Sequence, residues 1–376
     1  MLLLSWLLGE QGLTHLRLGL GFLDGLLLGV VAALALLLAW ALDALGEPPN
    51  RWHPVAWFGH AAAGVGRRLH GDRATVRSPI RQRLLGALAW WALVLPPTLL
   101  AAALQIGLMQ ALLGAARNGV SPAAALAWMA GTALVLALLI KPTLAWRSLR
   151  DHVQQVETAL APSQDDSLSQ GRQALAHIVS RDVTQLDAPQ VRASALQSLS
   201  ENLNDAWVAP LLWLALLGLP GAVLYRCANT LDAMWGYRDH RLHSGAWAAR
   251  SDDVLSWLPA RLTAVLIAPR IVLRRWPALR READRTPSPN GGWPMGALAL
   301  ALDVRLEKPG SYTLNPEAAP PQPADTARAI ARCQRAAQAA AALALAAQIV
   351  LVVSGLPGTV STVFQTPPGV EQAAPR

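Results

Sequence analysis

Acidic side chains stand directly beside apolar segments in this chain. Glu201 and Asp205 are four residues apart, just before an apolar run that begins at Trp207. In a helix that spacing places both carboxylates on one face, where like charges repel each other unless a cation lies between them. Magnesium is the natural cation, because it prefers carboxylate oxygens and bound phosphate to a cage of protein ligands alone. The alternative interpretation is a solvated helix end.

Two other clusters combine polar groups with residues that shape the backbone. Asn229 and Asp232 are three residues apart, which puts them on one helical face, and Gly236 is placed to end that helix. Residues 46–55 follow the strongest apolar segment, and their three prolines stiffen the chain around His53. For this second cluster, a structural turn that carries a lone surface histidine is as good an interpretation as a functional site.

The fourth cluster carries the highest density of charge. Asp252 and Asp253 are adjacent, Arg250 precedes them and Arg261 follows them. Carboxylates interleaved with guanidinium groups are typical of a site that holds a metal ion and phosphate oxygens together. A network of salt bridges without ligands is the alternative.

Several familiar sites are absent from the sequence. It contains no Walker A motif, no G-x-G-x-x-G after a strand and no H-E-x-x-H. Cys227 and Cys333 are far apart, so neither a disulfide framework nor a thiolate metal site is indicated. Any nucleotide site in this chain must therefore be unconventional.

The elements that must position these clusters are apolar helices. Of the 376 residues 53% are hydrophobic and only 15% are charged, and the mean hydropathy is +0.30. A soluble enzyme rarely reaches such values. The strongest candidate span covers residues 26–42, close to the roughly 17–25 residues that a ~30 Å hydrocarbon core requires. Further candidate spans cover residues 84–116, 123–140 and 336–353.

Two weaker apolar stretches, residues 207–224 and 254–273, are interrupted by proline and glycine. We expect them to form broken or re-entrant helices, because irregular backbone at membrane depth is tolerated where protein or a water-filled cavity surrounds it. The expected break points are Pro210, Gly218, Pro220 and Pro259. Such breaks would let the polar clusters converge on one cavity open to the cytosol, lined by Glu201, Asn229, Asp232, Asp252 and Asp253.

The formal charge of +8 is explained by topology rather than by nucleic acid. The arginines lie in loops between apolar segments, as positive-inside orientation requires. We therefore place the arginine-rich residues 51–83 in the cytosol, residues 117–122 outside and residues 141–204 in the cytosol. The first twenty residues do not have the order of a signal peptide.

The predicted fold is an all-α polytopic membrane bundle with a soluble helical insert. Within that insert, Asp187 before Pro189 predicts the N-cap of a helix over residues 190–202. The expected organisation is an N-terminal extension (1–22), membrane helices with a basic cytosolic loop (23–145), the soluble insert (146–205), a motif-bearing region of membrane and loop segments (206–315), a linker (316–329), a C-terminal membrane helix (330–356) and a tail (357–376).

At the polar clusters the chain resembles the adenosylcobinamide-phosphate synthase family. The family blocks are G-D-P…H-P-V, A-E-N…D…A-P, N-T-L-D-x-M-x-G-Y, A-R-x-D-D…P-A-R and S-P-N-x-x-W. They correspond here to residues 46–55, 200–210, 229–237, 249–261 and 288–293. Arg181 and Asp182 stand where the family usually reads G-R-D-T. The chain departs from the pattern at Glu47 (usually Asp), Ser180 (usually Gly) and Gln197 (usually Glu).

The resemblance implies an ATP-dependent ligase of cobalamin biosynthesis. The reaction would join adenosylcobyric acid to an aminopropanol phosphate and give adenosylcobinamide phosphate, with ATP and Mg²⁺ as cofactors and the corrinoid as substrate. It also implies a multi-pass protein of the bacterial inner membrane with its site facing the cytosol. A homo-oligomer and a complex with other cobalamin-pathway enzymes both remain open, and nucleic acid is not an expected partner. The alternative is a non-catalytic corrinoid-binding membrane protein or transporter, which Gln197 favours.

The resemblance also implies a role for each of the candidate site residues. The expected metal ligands are Glu201, Asp205, Asp252 and Asp253. The expected catalytic residues are Glu201, Asn202, Asp232 and His53, of which Glu201 or His53 would accept the proton of the amine. The expected residues for binding ATP or the corrinoid are Arg181, Arg250, Arg261, Asn229, Tyr237 and Asn290, because guanidinium groups match phosphate oxygens and the amides and the phenol orient polar substrate edges.

Overall fold

The computed structural model describes residues 22–70, 78–161 and 166–353. The N-terminal extension, apart from its last residue, and the C-terminal tail lie outside the described residues. The first half contains α1 (Phe22–Asp43), α2 (Pro54–His70), α3 (Pro79–Arg117), α4 (Pro122–Ile140), α5 (Trp146–Ala159), α6 (Ser167–Ala176) and α7 (Ala188–Leu203). The second half contains α8 (Ala209–Leu217), α9 (Leu219–Trp235), α10 (Ala246–Ile267), α11 (Pro269–Arg274), α12 (Trp276–Ala283), α13 (Gly292–Leu302), β1 (Leu306–Lys308), β2 (Tyr312–Leu314) and α14 (Pro323–Val353).

The prediction of an all-α membrane protein is confirmed. Among the described residues, three helical segments are long and apolar enough to cross a membrane: Asp24–Asp43, Pro79–Arg117 and Pro122–Ala159. Charged pairs mark the two ends of this group. Arg117 donates to Asp24 at one end, and Lys141 donates to Asp43 at the other end over 3.1 Å. The predicted C-terminal span lies within helix α14, which is not among the three candidates in the described part of the chain.

The polar insert shares its hydrophobic core with the membrane helices. Its helices α5, α6 and α7 bury residues in the same cluster as α1 and α14. Eleven of the sixteen residues of α7 are buried, which is the pattern of a helix enclosed on all sides. The predicted N-cap is confirmed, since Asp187 Oδ1 accepts from Gln190 N at 2.8 Å and Gln190 Oε1 accepts from Asp187 N at 3.1 Å.

The stretch after α7 is broken, as predicted, at Gly218. A turn of π-helix, Asn204–Val208, leads into α8, and the chain then reverses at Gly218 with φ +75°. A side chain there would also collide with Gln105, whose Oε1 accepts from Leu219 N at 2.7 Å. Pro210 and Pro220 lie in the first turns of α8 and α9, where proline is compatible with a helix.

The expected break at Pro259 is wrong. Helix α10 continues through Pro259, whose carbonyl accepts a hydrogen bond from the Thr263 hydroxyl. The helix ends instead at Ile267, and α11 begins at Pro269. Neither interrupted stretch is among the three candidate spans in the described part of the chain.

A short hairpin closes the structure beside α7. Strands β1 and β2 are antiparallel, with Leu306 opposite Leu314 and Lys308 opposite Tyr312. Leu306 and Leu314 are buried in the main core. Because residues alternate between faces along a strand, this places Leu306 and Lys308 on one face of the hairpin.

Candidate active site

One cavity collects most of the acidic residues that the sequence singled out. It has a volume of about 310 Å³ and lies between the ends of several helices and the turn before α13. Five carboxylates line it: Glu201, Asp205, Asp232, Asp252 and Asp253. Asn204, Arg238, Ser256 and Asn290 are polar neighbours in the same lining. Five acids in one small cavity require counter-charge, and this requirement dominates the chemistry of the site.

The end of α7 delivers two of these acids in a way that the sequence did not predict. Glu201 lies in the last turn of α7, but Asp205 lies in the π-helical turn that follows. The two carboxylates therefore do not share the face of one continuous α-helix. Isolated π-turns occur frequently at functional sites. The turn is also anchored, because Ala145 N donates to Ala206 O at 3.0 Å.

Hydrogen bonds fix Asp205 from two sides. Asn204 Nδ2 donates to Asp205 Oδ1 at 2.8 Å, and the Tyr225 hydroxyl donates to the same oxygen at 3.3 Å. Asn204 Oδ1 in turn lies 3.1 Å from the Thr263 hydroxyl, which shares its one hydrogen between this oxygen and the Pro259 carbonyl. The position of Asp205 is therefore set by α9 and α10 as well as by its own turn.

Asp252 is positioned by neighbours on both helices. Asn229 Nδ2 donates to Asp252 Oδ1 at 3.2 Å, and the Ser256 hydroxyl donates to Asp252 Oδ2 at 3.4 Å. Ser256 also lies 3.0 Å from the Tyr225 hydroxyl. The Tyr225 and Ser256 hydroxyls thus lie side by side between the two carboxylates in the cavity wall.

The protonation of these acids shows how strongly the cavity disfavours negative charge. Burial, together with the charge of Asp205, raises the pKa of Glu201 to about 7. Burial, with the charges of Asp205 and Asp253, raises the pKa of Asp232 to about 6. The pKa of Asp252 is raised well above its ordinary range, first by burial and then by Asp205. A bound cation would relieve this repulsion and lower all three pKa values.

The acids do not form a complete cage for a metal ion. Among the described residues, no group of three or more His, Cys, Asp or Glu side chains is arranged to hold one. Magnesium usually keeps several water ligands and is held by one or two carboxylates together with substrate phosphates. The donor set therefore fits Mg²⁺ that arrives with a phosphate group, and the assignment of individual ligands stays a prediction.

Arg261 and Asn290 form one rim of the cavity. Arg261 Nη1 donates to Asn290 Oδ1 at 2.9 Å, and Asn290 Nδ2 donates to the Asp253 carbonyl at 2.8 Å. The Arg261 guanidinium carbon also lies 4.4 Å from the Trp257 ring centroid and 4.8 Å from that of Trp293. These contacts fix a planar cation beside the acids, and a fixed guanidinium is suited to bind phosphate.

The turn before α13 approaches Glu201 closely. A Cβ atom on Gly291 would lie 2.8 Å from Glu201 Oε1. The Ser288 hydroxyl accepts from the backbone amides of Asn290 and Gly291, at 3.2 Å and 3.1 Å. Glycine at position 291 therefore leaves the space that the Glu201 carboxylate occupies.

Arg181 lies on the other side of Glu201, next to a lysine that the sequence analysis missed. Arg181 Nη2 donates to Gln197 Oε1 at 3.1 Å, and the Tyr312 hydroxyl donates to the same oxygen at 3.3 Å. Burial and the charge of Arg181 lower the pKa of Lys308, whereas the charge of Glu201 acts to raise it. The only signal for Lys308 in the sequence was a basic residue before Pro-Gly, so it could not have been singled out.

Seven of the predicted site residues do not line the acidic cavity: His53, Arg181, Asn202, Asn229, Tyr237, Arg250 and Arg261. Asn229 and Arg261 bond to lining residues, and Arg181 acts on Glu201 through its charge. The other four lie elsewhere. His53 lies 3.0 Å from Glu47 in the charged group that contains Lys141. Asn202 donates to the carbonyl of Ser198 in its own helix. Tyr237 packs against the guanidinium of Arg241, and Arg250 is exposed. The functional and the structural interpretation of His53 both stay predictions.

Comparisons with known proteins agree on one family. The family described as CobD/Cbib protein matches residues 36–345. The chain is 39% identical over 331 residues to the "Cobalamin biosynthesis protein CobD" of Chromobacterium violaceum, covering 85% of this chain and 98% of the relative. It is 37% identical over 287 residues to the "Probable cobalamin biosynthesis protein CobD" of Methanothermobacter thermautotrophicus, covering 74% and 85%. No solved structure matches the chain.

Proposed function

The chain belongs to the CobD/Cbib protein family, and on that premise we propose that it acts in cobalamin biosynthesis as an ATP-dependent amide ligase. The proposed reaction joins adenosylcobyric acid to (R)-1-aminopropan-2-yl phosphate and gives adenosylcobinamide phosphate. The proposed location is the cell membrane, with the acidic cavity facing the cytosol. The cobalamin role rests on the names of the relatives, and the reaction rests on the family resemblance together with the chemistry of the cavity.

The observation that carries the proposal is a cavity lined by five carboxylates with cationic side chains near it. Arg238 lines the cavity, Arg261 is bonded to the lining residue Asn290, and Arg181 and Lys308 act on Glu201 through their charges. A carboxylic acid is a poor electrophile, so amide formation requires that its oxygen first carry a phosphoryl group, which ATP bound with Mg²⁺ would supply; attack by the amine would then release that group as phosphate. A cavity that favours a cation at its centre and anions at its edges fits this combination.

The chain's own residues would bind and orient the reactants. Asp205 and Asp252, held by hydrogen bonds from α9 and α10, would carry the cation without moving. Arg261 would hold phosphate oxygens in the plane set by Trp257 and Trp293. Glu201, a carboxylate that lines the cavity, would accept the proton that the amine loses on attack.

The position of the acidic cavity relative to the ends of the candidate spans also supports a single site on one membrane face. The π-turn that carries Asp205 is bonded to Ala145, close to Lys141 at the inner end of α4. Asp43 ends α1 at the same place, whereas Arg117 and Asp24 lie at the opposite end of the spans. The cavity is thus attached to the end that positive-inside topology assigns to the cytosol, where ATP is available.

The test is an activity assay on purified full-length protein in detergent. The mixture contains adenosylcobyric acid, ATP, Mg²⁺ and the amine phosphate, and the product is identified by its mass. We expect a product that requires all four components. Corrinoid binding without ATP-dependent product would contradict the ligase proposal and favour the binding or transport alternative.

A further inference from the structure

A second cavity lies on the far side of α9 from the acidic cavity. Its volume is about 230 Å³, and it is enclosed by α2, α3, α4 and α9. Its sixteen lining residues are almost all apolar, and they include Phe58, Leu100, Leu104, Leu138 and Val223. Such a cavity suits a hydrocarbon chain.

Arg226 is the only charged residue in that lining. Its Nε is buried and has no hydrogen-bond partner, and among the described residues no carboxylate pairs with its guanidinium within 4.0 Å, while Asp205 and Glu47 attract it from farther away. The carboxylate of Glu47 is already engaged by Lys141 and His53. The two lining threonines also use their hydroxyls within their own segments, Thr143 on Ile140 and Thr230 on Arg226 O. An unpaired guanidinium in an apolar wall is costly unless an anion joins it.

The depth of the cavity in the membrane can be read from α3. Pro97 lines the cavity, and Arg117, twenty residues further on, ends the helix at the far membrane face. At ~1.5 Å per residue this separation is about 30 Å, the thickness of a hydrocarbon core. Pro142 and Thr143, which follow the end of α4, also line the cavity. The cavity therefore lies at the boundary between hydrocarbon and headgroups.

We propose that this cavity binds one glycerophospholipid, with the lipid phosphate on the Arg226 guanidinium and an acyl chain against Leu100, Leu104 and Leu138. The lipid comes from the leaflet at the Lys141 end of the spans. A guanidinium fork matches phosphate oxygens, and the apolar wall continues from that point toward the middle of the bilayer. The positive charge of Arg226 and the depth of the cavity in the membrane thus both favour a phospholipid.

The site has a structural consequence for the acidic cavity. Helix α9 carries Arg226 on one face and Tyr225, Asn229 and Asp232 on the other. A lipid between α3, α4 and α9 would fix the position of α9 from the membrane side. The inference does not depend on the ligase reaction, because lipid binding and not product formation tests it; Arg226 also attracts Asp205 in the acidic cavity.

The experiment uses delipidated full-length protein in detergent and three probes. Dioleoylphosphatidylglycerol has chains and phosphate, dioleoylglycerol has the chains alone, and glycerol 3-phosphate has the phosphate alone. We expect only the phospholipid to raise the midpoint of thermal unfolding by several degrees, and native mass spectrometry to show one retained phospholipid. An equal shift with dioleoylglycerol, or with glycerol 3-phosphate, would overturn the proposal in favour of unspecific apolar binding or a soluble phosphate ligand.

Matched variants test the two halves of the site. Arg226→Gln should lose at least tenfold in phospholipid affinity, Arg226→Lys should keep part of it, and the exposed control Arg274→Gln should behave as the wild type. Val223→Phe fills the cavity and keeps Arg226, so it should also lose the retained lipid. Unchanged phospholipid affinity in Arg226→Gln would contradict the proposal, and if that variant does not fold, unchanged retention in Val223→Phe would do the same.

Discussion

Asn229 donates from Nδ2 to Asp252 Oδ1 over 3.2 Å, and this bond connects the last turns of α9 to the first turns of α10. Two motifs that are 23 residues apart in sequence therefore form one wall of the acidic cavity. The bond also explains why Asp252 can remain in place despite the charges of Asp205 and Asp232 around it.

Removing one buried carboxylate should abolish the reaction while the fold persists. In Asp252→Asn the amide oxygen can still accept from Asn229, so the hydrogen bond is kept and only the charge is lost. We expect product formation to fall about 100-fold or more, because a charge that serves the transition state has been removed. Glu201→Gln should behave in the same way. Product mass and yield from purified protein are the measurements.

The control for charge removal is Asp284→Asn. Asp284 is exposed and lies 3.8 Å from Arg280 in a surface pair, which contributes little to stability. Its product yield should match that of the wild type. Near-normal turnover in both Asp252→Asn and Glu201→Gln would remove the basis for the metal and proton roles given to these residues.

Gly291→Ala should obstruct the cavity without unfolding the protein. The added methyl group would lie 2.8 Å from Glu201 Oε1, which is closer than van der Waals contact allows. The Glu201 carboxylate would therefore have to move away from its present position. We expect at least a tenfold loss of activity with little change in the thermal midpoint. Gly131→Ala is the matched control, because nothing lies within 4 Å of its added methyl group. Equal activities of the two variants would show that Glu201 need not occupy this position.

Gln197→Glu should stabilise the protein and leave it active. Gln197 is buried, its Nε2 has no hydrogen-bond partner among the described residues, and its Oε1 accepts from both Arg181 and Tyr312. A glutamate would remove the unsatisfied amide and pair with Arg181, and a hydrogen bond to a charged group contributes about 1.5–3 kcal/mol. Thermal unfolding and product yield are both measured. A clear loss of activity would show that this position now serves another purpose.

Without a bound cation, the stability of the protein should fall as pH rises from about 4.5 to about 7. The folded protein raises the pKa of Glu201 from its ordinary 4.5 to about 7 and that of Asp232 from 3.8 to about 6. Across this window the folded state binds more protons than the unfolded state, so deprotonation favours unfolding. Thermal midpoints in chelator across the window test this, and Glu201→Gln should flatten the decline. A midpoint that rises with pH in wild type and variant alike would contradict the assignment.

The parts of the fold that depend on local signals could be predicted from the sequence. The Asp187 cap, the end of α9 at Gly236 and the break at Gly218 each follow from a residue whose side chain or φ angle determines the backbone. Pro259 shows the limit of such signals. A proline inside a helix costs one hydrogen bond, and the packing of α10 against its neighbours outweighs that loss.

The candidate site could be predicted where its residues stand in dense clusters beside apolar segments. Glu201, Asp232 and Asp252 are of this kind, and the structure brings them together in one cavity. The π-turn at Asp205 and the approach of Lys308 could not be predicted, because both depend on contacts between distant parts of the chain. His53 bonds to Glu47 outside the acidic cavity, and its catalytic role stays a prediction.

The ratio of phosphate released to amide formed tests the central claim most directly. Purified protein is given ATP and Mg²⁺ with adenosylcobyric acid, with the amine phosphate, or with both, and phosphate and corrinoid product are counted in the same sample. The account predicts one phosphate released per amide formed when both substrates are present, and loss of both signals together in Asp252→Asn. Amide formation without ATP consumption, or ATP hydrolysis that the two substrates do not stimulate, would contradict it.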